Sequence, residues 1–208
     1  MVEFRSRNPN RPEFWDERFE AGVTPWDAGG PPASLMRFLA AGRVPAPASV
    51  LVPGCGSGWE VGPLDRAGFR VLAIDFSPTA IARARARLGE RGDRLLRHAD
   101  FFQFEADPFD WIYERTFVAA IGPDRWPAWA ERVTTLTAPG SWLAGLFFID
   151  PAAQAARRGP PFAIRGDELD ALLGACFECV QDETIPAAES VPVLAGREHW
   201  LTWRRRAS

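Results

Sequence analysis

The chain has 208 residues, 47% of them hydrophobic, enough to bury one sizeable core and too few for two full-sized domains. Its net charge of −3 argues against a duplex nucleic-acid partner, and the complete lack of lysine excludes Schiff-base and lysine-nucleophile chemistry. No apolar run approaches the roughly 20 residues of a spanning helix, Met1 to Arg11 is polar and unlike a signal peptide, and three cysteines make no disulfide framework, so a soluble cytoplasmic protein without a membrane partner is expected.

In chain order, Pro12 to Glu20 reads as an amphipathic helix, followed by the loop AGVTPWDAGGPP, the helix Ala33 to Ala41 and the proline-rich linker RVPAPAS. SVLVP is the first strand, and strands and helices then alternate. Strands are expected at Phe69 to Ile74, Arg94 to His98, Phe109 to Tyr113 and Ser141 to Ile149. Helices are expected at Pro78 to Leu88, behind the cap-like Ser77, and at Pro127 to Leu136. A helix over Gly166 to Leu173 precedes two strands, in CFECV and HWLTWRR, that form an antiparallel hairpin. The pattern predicts an α/β fold of Rossmann-like kind, a seven-stranded, mostly parallel sheet with helices on both faces. It forms a single domain, 1–208, with an N-terminal helical segment 1–45 and a core 46–208.

In VLVPGCGSG a hydrophobic strand runs into Gly54, Gly56 and Gly58 before the chain turns helical at Glu60, the layout of a turn whose backbone must come close to a ligand. Asp75, at the tip of the next strand, can accept both hydroxyl hydrogens of a ribose; it can equally cap the following helix, in competition with Ser77. Together these two elements point to a nucleoside ligand. The GxGxG spacing is shorter than a dinucleotide pyrophosphate prefers. Asp100 and Phe101, after the third strand, can bond and cover an adenine edge, and Trp15 and Trp26 offer ring faces suited to a sulfonium cation, or else simply pack the first helix. The run Arg83, Arg85, Arg87, Arg91, Arg94 reads as a solvated helix face, His98 and His199 as structural, and Cys55 as a small filler. Cys176 and Cys179 lack a second ligand pair, so no metal site is expected.

These residues resemble the thiopurine methyltransferases and the related thiol and halide methyltransferases. FWDERFEAGVTPWDAGG resembles that family's N-terminal lid, LVPGCGSG, AIDFSPTAI and ADFF its cofactor motifs, and FDWIYERTFVAAIGPDRWPAW its fourth strand and following helix. RGPPFAI, Arg158 to Ile164, resembles its substrate-side loop and AGREHWLTWRR its closing hairpin. The resemblance implies S-adenosylmethionine as cofactor, with Trp15, Trp26, Gly54, Asp75, Asp100, Phe101 and Arg115 contacting it or lying beside it, Phe76 next to Asp75 at the same site, and residues 1–45 as an N-terminal lid and helix. It implies a monomer acting on a small molecule. Arg115 groups the chain with the thiopurine-type and bacterial members rather than the plant thiol and halide members, which carry tyrosine there.

The implied reaction is transfer of a methyl group to a small soft nucleophile, a thiol or thiopurine-like sulfur, with halides or selenium and tellurium oxyanions as alternatives within the family. Arg115 is the candidate catalytic residue, holding an anionic sulfur beside the cofactor; an ion pair with Glu114 or Asp16 is its structural alternative. Trp26, Asp27, Asp150 and Phe162 are placed on the substrate side, the two aspartates as the carboxylates available for proton removal. A nicotinamide-dependent oxidoreductase or a non-catalytic nucleoside-binding module remain the competing classes. The first would need a proton donor such as a Tyr/Lys pair, and the chain holds a single tyrosine, Tyr113.

Overall fold

The computed structural model describes residues 3–154 and 159–207. Two helices come first, α1 (Pro12–Glu20) and α2 (Ala33–Ala40), and then β1 (Ser49–Pro53), α3 (Val61–Arg66), β2 (Arg70–Asp75), α4 (Pro78–Leu88), α5 (Gly92–Leu95) and β3 (Leu96–His98). The second half holds β4 (Phe109–Arg115), α6 (Phe117–Ala120), α7 (Trp126–Thr135), β5 (Thr137–Phe148), α8 (Gly166–Leu173), β6 (Phe177–Thr184) and β7 (Glu198–Arg205). The seven strands form one sheet in the order β3-β2-β1-β4-β5-β7-β6, parallel except for β7, which runs antiparallel to both neighbours.

Both faces of the sheet are covered, so the middles of its central strands, Val50 to Val52 of β1 and Trp111 to Tyr113 of β4, are continuously hydrophobic rather than alternating. Val50 and Val52 of β1, with Trp111 and Tyr113 of β4, enter one core cluster; Leu51 and Ile112 enter the other. Local chemistry sets several boundaries. Ser77 caps α4 by accepting the Ala80 N–H at 3.0 Å, and proline opens α1, α4 and α7.

Two expected boundaries move. Arg94 and Leu95 belong to a helical turn, and the third strand begins at Leu96. The fifth strand starts at Thr137, four residues before Ser141, because Thr137 pairs with Phe109 and a register shift between Phe109 and Trp111 absorbs the extra Pro139-Gly140 step.

Candidate active site

β1 lies between β2 and β4, where the order of connection reverses, the point at which open α/β sheets bind ligands beyond their carboxyl ends. A cavity of about 470 Å³ opens there, within the usual range for small-molecule sites. Gly54, Gly56, Asp75, Phe76, Asp100, Phe101 and Arg115 line it from the sheet side, and Trp15, Trp26 and Asp27 from the lid.

The glycine turn is shaped by two requirements. Gly54 has φ +59°, and a Cβ there would fall 2.4 Å from Cδ2 of Phe117, so any side chain would fill the cradle. Gly58 does not face the cavity. With φ +69° and a would-be Cβ 2.9 Å from the Ala84 Cβ, it lets the turn pack against α4, which corrects its assignment to the ligand.

Asp75 is buried, with Oδ2 accepting the Gly56 N–H and Oδ1 the Ser77 N–H, both at 2.9 Å. It therefore braces the turn, and the cap belongs to Ser77. Burial pushes its carboxyl up to about 6, the two backbone donors opposing the shift.

The lid is clasped to this floor. Asp27 Oδ2 accepts from Ser57 Oγ and Oδ1 from Trp59 Nε1, each at 2.6 Å, while Oδ1 also takes the Gly29 N–H. Its oxygens are thus committed to structure rather than poised for proton removal. Asp16 Oδ1 accepts from Ser77 Oγ and the Thr79 N–H, tying α1 to the start of α4. Two arginines expected on a solvated face join the clasp: Arg83 donates to the Phe19 carbonyl, and Arg87 donates to the Ser57 carbonyl while lying over the Trp59 ring. Trp15 and Trp26 meet edge to face at 5.3 Å, with Trp26 also against Phe19.

Arg115 ends β4 and reaches the cavity, but its ion-pair partners are not those expected. Nη1 donates to Glu198 Oε1 at 2.8 Å and Nε lies 3.6 Å from Glu60 Oε1. Asp16 is engaged with α4. Glu114, the neighbour in sequence, alternates to the other face of the strand and turns back to accept the Val118 N–H at 3.0 Å.

Glu114 is fully buried and its second oxygen has no partner among the described residues. Burial pushes its carboxyl up to about 8 against the pull of the Val118 and Phe117 amides. A carboxyl raised on folding stabilises below its unfolded value and loses that contribution as pH rises through the folded one. Stability is therefore expected to fall between pH about 4.5 and about 8, by a few kcal/mol at roughly 1.4 kcal/mol per pH unit. Denaturant midpoints should show the slope in the wild type, and above pH about 6, where Asp75 no longer titrates, Glu114→Gln should lose most of it; a parallel slope there in the variant would refute the assignment.

Two substrate-side expectations do not reach the cavity. Asp150 pairs with Arg197 and accepts the Ala152 N–H, and Phe162, partly buried, packs against the core and donates its N–H to the Ala119 carbonyl. Gly159, Pro160 and Pro161 of the same loop form the wall instead, and Arg158 lies outside the described residues. Sequence reasoning missed Ser57, Trp59, Glu60 and Glu198. Ser57 lies within the glycine turn and Trp59 and Glu60 just beyond it, so these three carried a positional signal; Glu198 carried none. Tyr113, the proton donor a nicotinamide enzyme would have needed, is fully buried away from the cavity.

The sheet order with its antiparallel β7, and the cavity at the β1 switch point, are the architecture of the class I S-adenosylmethionine-dependent methyltransferases. A solved Burkholderia thailandensis 1,6-didemethyltoxoflavin-N1-methyltransferase, described with bound S-adenosylhomocysteine, has the same fold: TM-score 0.73 at 21% identity, covering 99% of this chain and 93% of that one. The family model described as Thiopurine S-methyltransferase matches residues 10–206, and the chain belongs to that family. A "Probable thiol methyltransferase 2" of Arabidopsis thaliana is 33% identical over 174 residues, covering 81% of this chain and 75% of that protein. The Thiopurine S-methyltransferase of Pseudomonas fluorescens is 27% identical over 180 residues, covering 78% and 82%. Overall identity thus runs somewhat higher to that plant protein than to the bacterial one, although Arg115 had grouped the chain with the bacterial type.

Proposed function

We propose that the chain methylates the sulfur of a small, largely apolar thiol, working as a cytoplasmic monomer without a nucleic-acid partner. One observation carries the choice of acceptor: among the described residues, each cavity carboxylate already has a partner. Asp27 holds the lid, Asp75 braces the glycine turn, Asp100 accepts the Phe102 N–H and Glu60 faces Arg115. Cys55 is buried with its thiol pushed well up by burial, and neither histidine lines the cavity. The acceptor must then ionise readily by itself, which suits a thiol. Ile121, Pro160, Pro161, Val193 and Leu194 supply apolar walls. A net charge of −3 supports the absence of a polyanion partner.

The residues present fit the cofactor. Gly54 leaves a cradle that a Cβ would close, Asp75 offers a buried acceptor to ribose hydroxyls, and Trp15 and Trp26 offer rings to a cation. When bound, S-adenosylmethionine supplies an activated methyl group. The chain positions the acceptor sulfur in line and excludes water; holding reacting atoms about 3–3.5 Å apart is most of what such a displacement needs. Arg115 orients the sulfur and favours its anionic form.

Arg115→Ala is expected to lower stability by about 3–5 kcal/mol, because it strands the Glu198 carboxylate, only 1% exposed, without its cation. The double variant Arg115→Met/Glu198→Gln should recover most of that loss. Its turnover on thiols of graded acidity should then fall furthest for the least acidic. A uniform fall across the series would leave Arg115 a structural residue, and a wild type that methylates no thiol would refute the proposed acceptor class.

A further inference from the structure

Two buried carboxylates face one guanidinium in the cavity wall, and one of them suffices to hold it. Glu198 accepts from Arg115 Nη1 at 2.8 Å, from Ser190 Oγ at 2.6 Å and from the Val191 N–H at 3.2 Å, so it fixes both Arg115 and the chain leading to Val193 and Leu194. Glu60 is different. It stands where the glycine turn enters α3, is 7% exposed, lines the cavity, and lies 3.6 Å from Arg115 Nε.

The titratable and charged groups around Glu60 are Arg115 and Tyr113 of β4, Asp27 of the lid loop and Cys55 of the glycine turn, with Glu198 of β7 beyond the guanidinium. Arg115 is the one cation among them. Its charge is already matched by Glu198, so an ionised Glu60 leaves the wall with surplus negative charge. In a desolvated wall that surplus is costly unless a second cation arrives. Burial accordingly pushes the Glu60 carboxyl up, with Arg115 pulling it back.

We infer that Glu60 makes the site distinguish the cationic sulfonium cofactor from its neutral demethylated product, by supplying negative charge that a cation in the cavity balances. This rests on the methyltransferase reading. Binding of the sulfonium and loss of the Glu60 proton to solvent favour one another by linkage. Methyl transfer converts the sulfonium to a thioether, and the site's hold on the product is weaker than on the cofactor by the part Glu60 contributed. Arg115 and Glu60 together give the wall one cationic and one anionic element, matching the two charges that a sulfonium and a thiolate bring.

Calorimetry of S-adenosylmethionine and S-adenosylhomocysteine binding between pH 5.5 and 8, in buffers of different ionisation enthalpy, tests this without relying on turnover. The wild type should release more protons on binding the sulfonium than on binding the thioether. Asp75 also titrates, but the two ligands share their nucleoside, so its contribution cancels in the difference. Glu60→Gln should abolish the difference and weaken S-adenosylmethionine roughly tenfold while leaving S-adenosylhomocysteine within about twofold. Equal proton release for both ligands in the wild type, which needs no variant to fold, would overturn the inference, as would equal weakening of both by Glu60→Gln. A wild type that binds neither ligand overturns the methyltransferase reading itself.

Discussion

Gly145→Ala is expected to prevent the protein from folding to a stable state. Gly145 of β5 pairs with Glu114 of β4 in the middle of the sheet, and a Cβ at Gly145 would fall 1.8 Å from the Glu114 carbonyl oxygen, 2.7 Å from its carbon and 2.8 Å from its nitrogen. These are backbone atoms of a hydrogen-bonded neighbour, so no rotamer change relieves the contact; the two strands must separate. The cost should exceed about 4–5 kcal/mol, the exceptional end of single substitutions, and approach the whole stability of a domain. Gly166→Ala, at the start of α8 with nothing within 4 Å of its would-be Cβ, is the control and should be neutral or slightly stabilising. Soluble yield and melting temperature of the two variants decide the matter. A Gly145→Ala protein melting within a few degrees of wild type would show that β4 and β5 do not pair in this register.

Asp75→Ala is expected to weaken S-adenosylmethionine binding by about 1.5–3 kcal/mol through lost charge-assisted bonds to the ribose. The structure adds a second loss, since the Gly56 and Ser77 amides would both lose their acceptor and the glycine turn its brace. The combined weakening should reach about a hundredfold or more, with a lowered melting point. Asp75→Asn, which keeps one acceptor oxygen, should fall between. With the carboxyl raised to about 6, wild-type affinity should decline as pH drops through that value, because protonation turns one acceptor into a donor. Unchanged affinity in a folded Asp75→Ala would end the assignment.

What could be read from the sequence follows from how local each signal is. Pro78 behind Ser77, the run SVLVP into Gly54, and the strand tip at Asp75 are decided within a few residues, and the structure places them as the pattern implied. Leu95 misled because it is buried either way, from a helical turn as well as from a strand. Glu198 could not have been paired with Arg115 from the sequence. They are 83 residues apart, and only the insertion of β7 beside β5 brings them together. Arg83 and Arg87 look like any solvated helix face until α1 brings the Phe19 carbonyl to the first and the glycine turn brings the Ser57 carbonyl to the second. Asp150 and Phe162 sit in a loop whose cavity-facing residues are decided by a turn, not by a periodic element.

The clasp between lid and floor has a consequence for timing. Asp16 and Asp27 bond to α4 and the glycine turn, Arg83 of α4 bonds back to the Phe19 carbonyl, and Arg87 holds the Ser57 carbonyl, so any movement of the N-terminal segment away from the cavity breaks several of these bonds together. Movement of that segment is then an activated event, with a rate set by those bonds. A step that needs the movement answers to residues that never touch the sulfur.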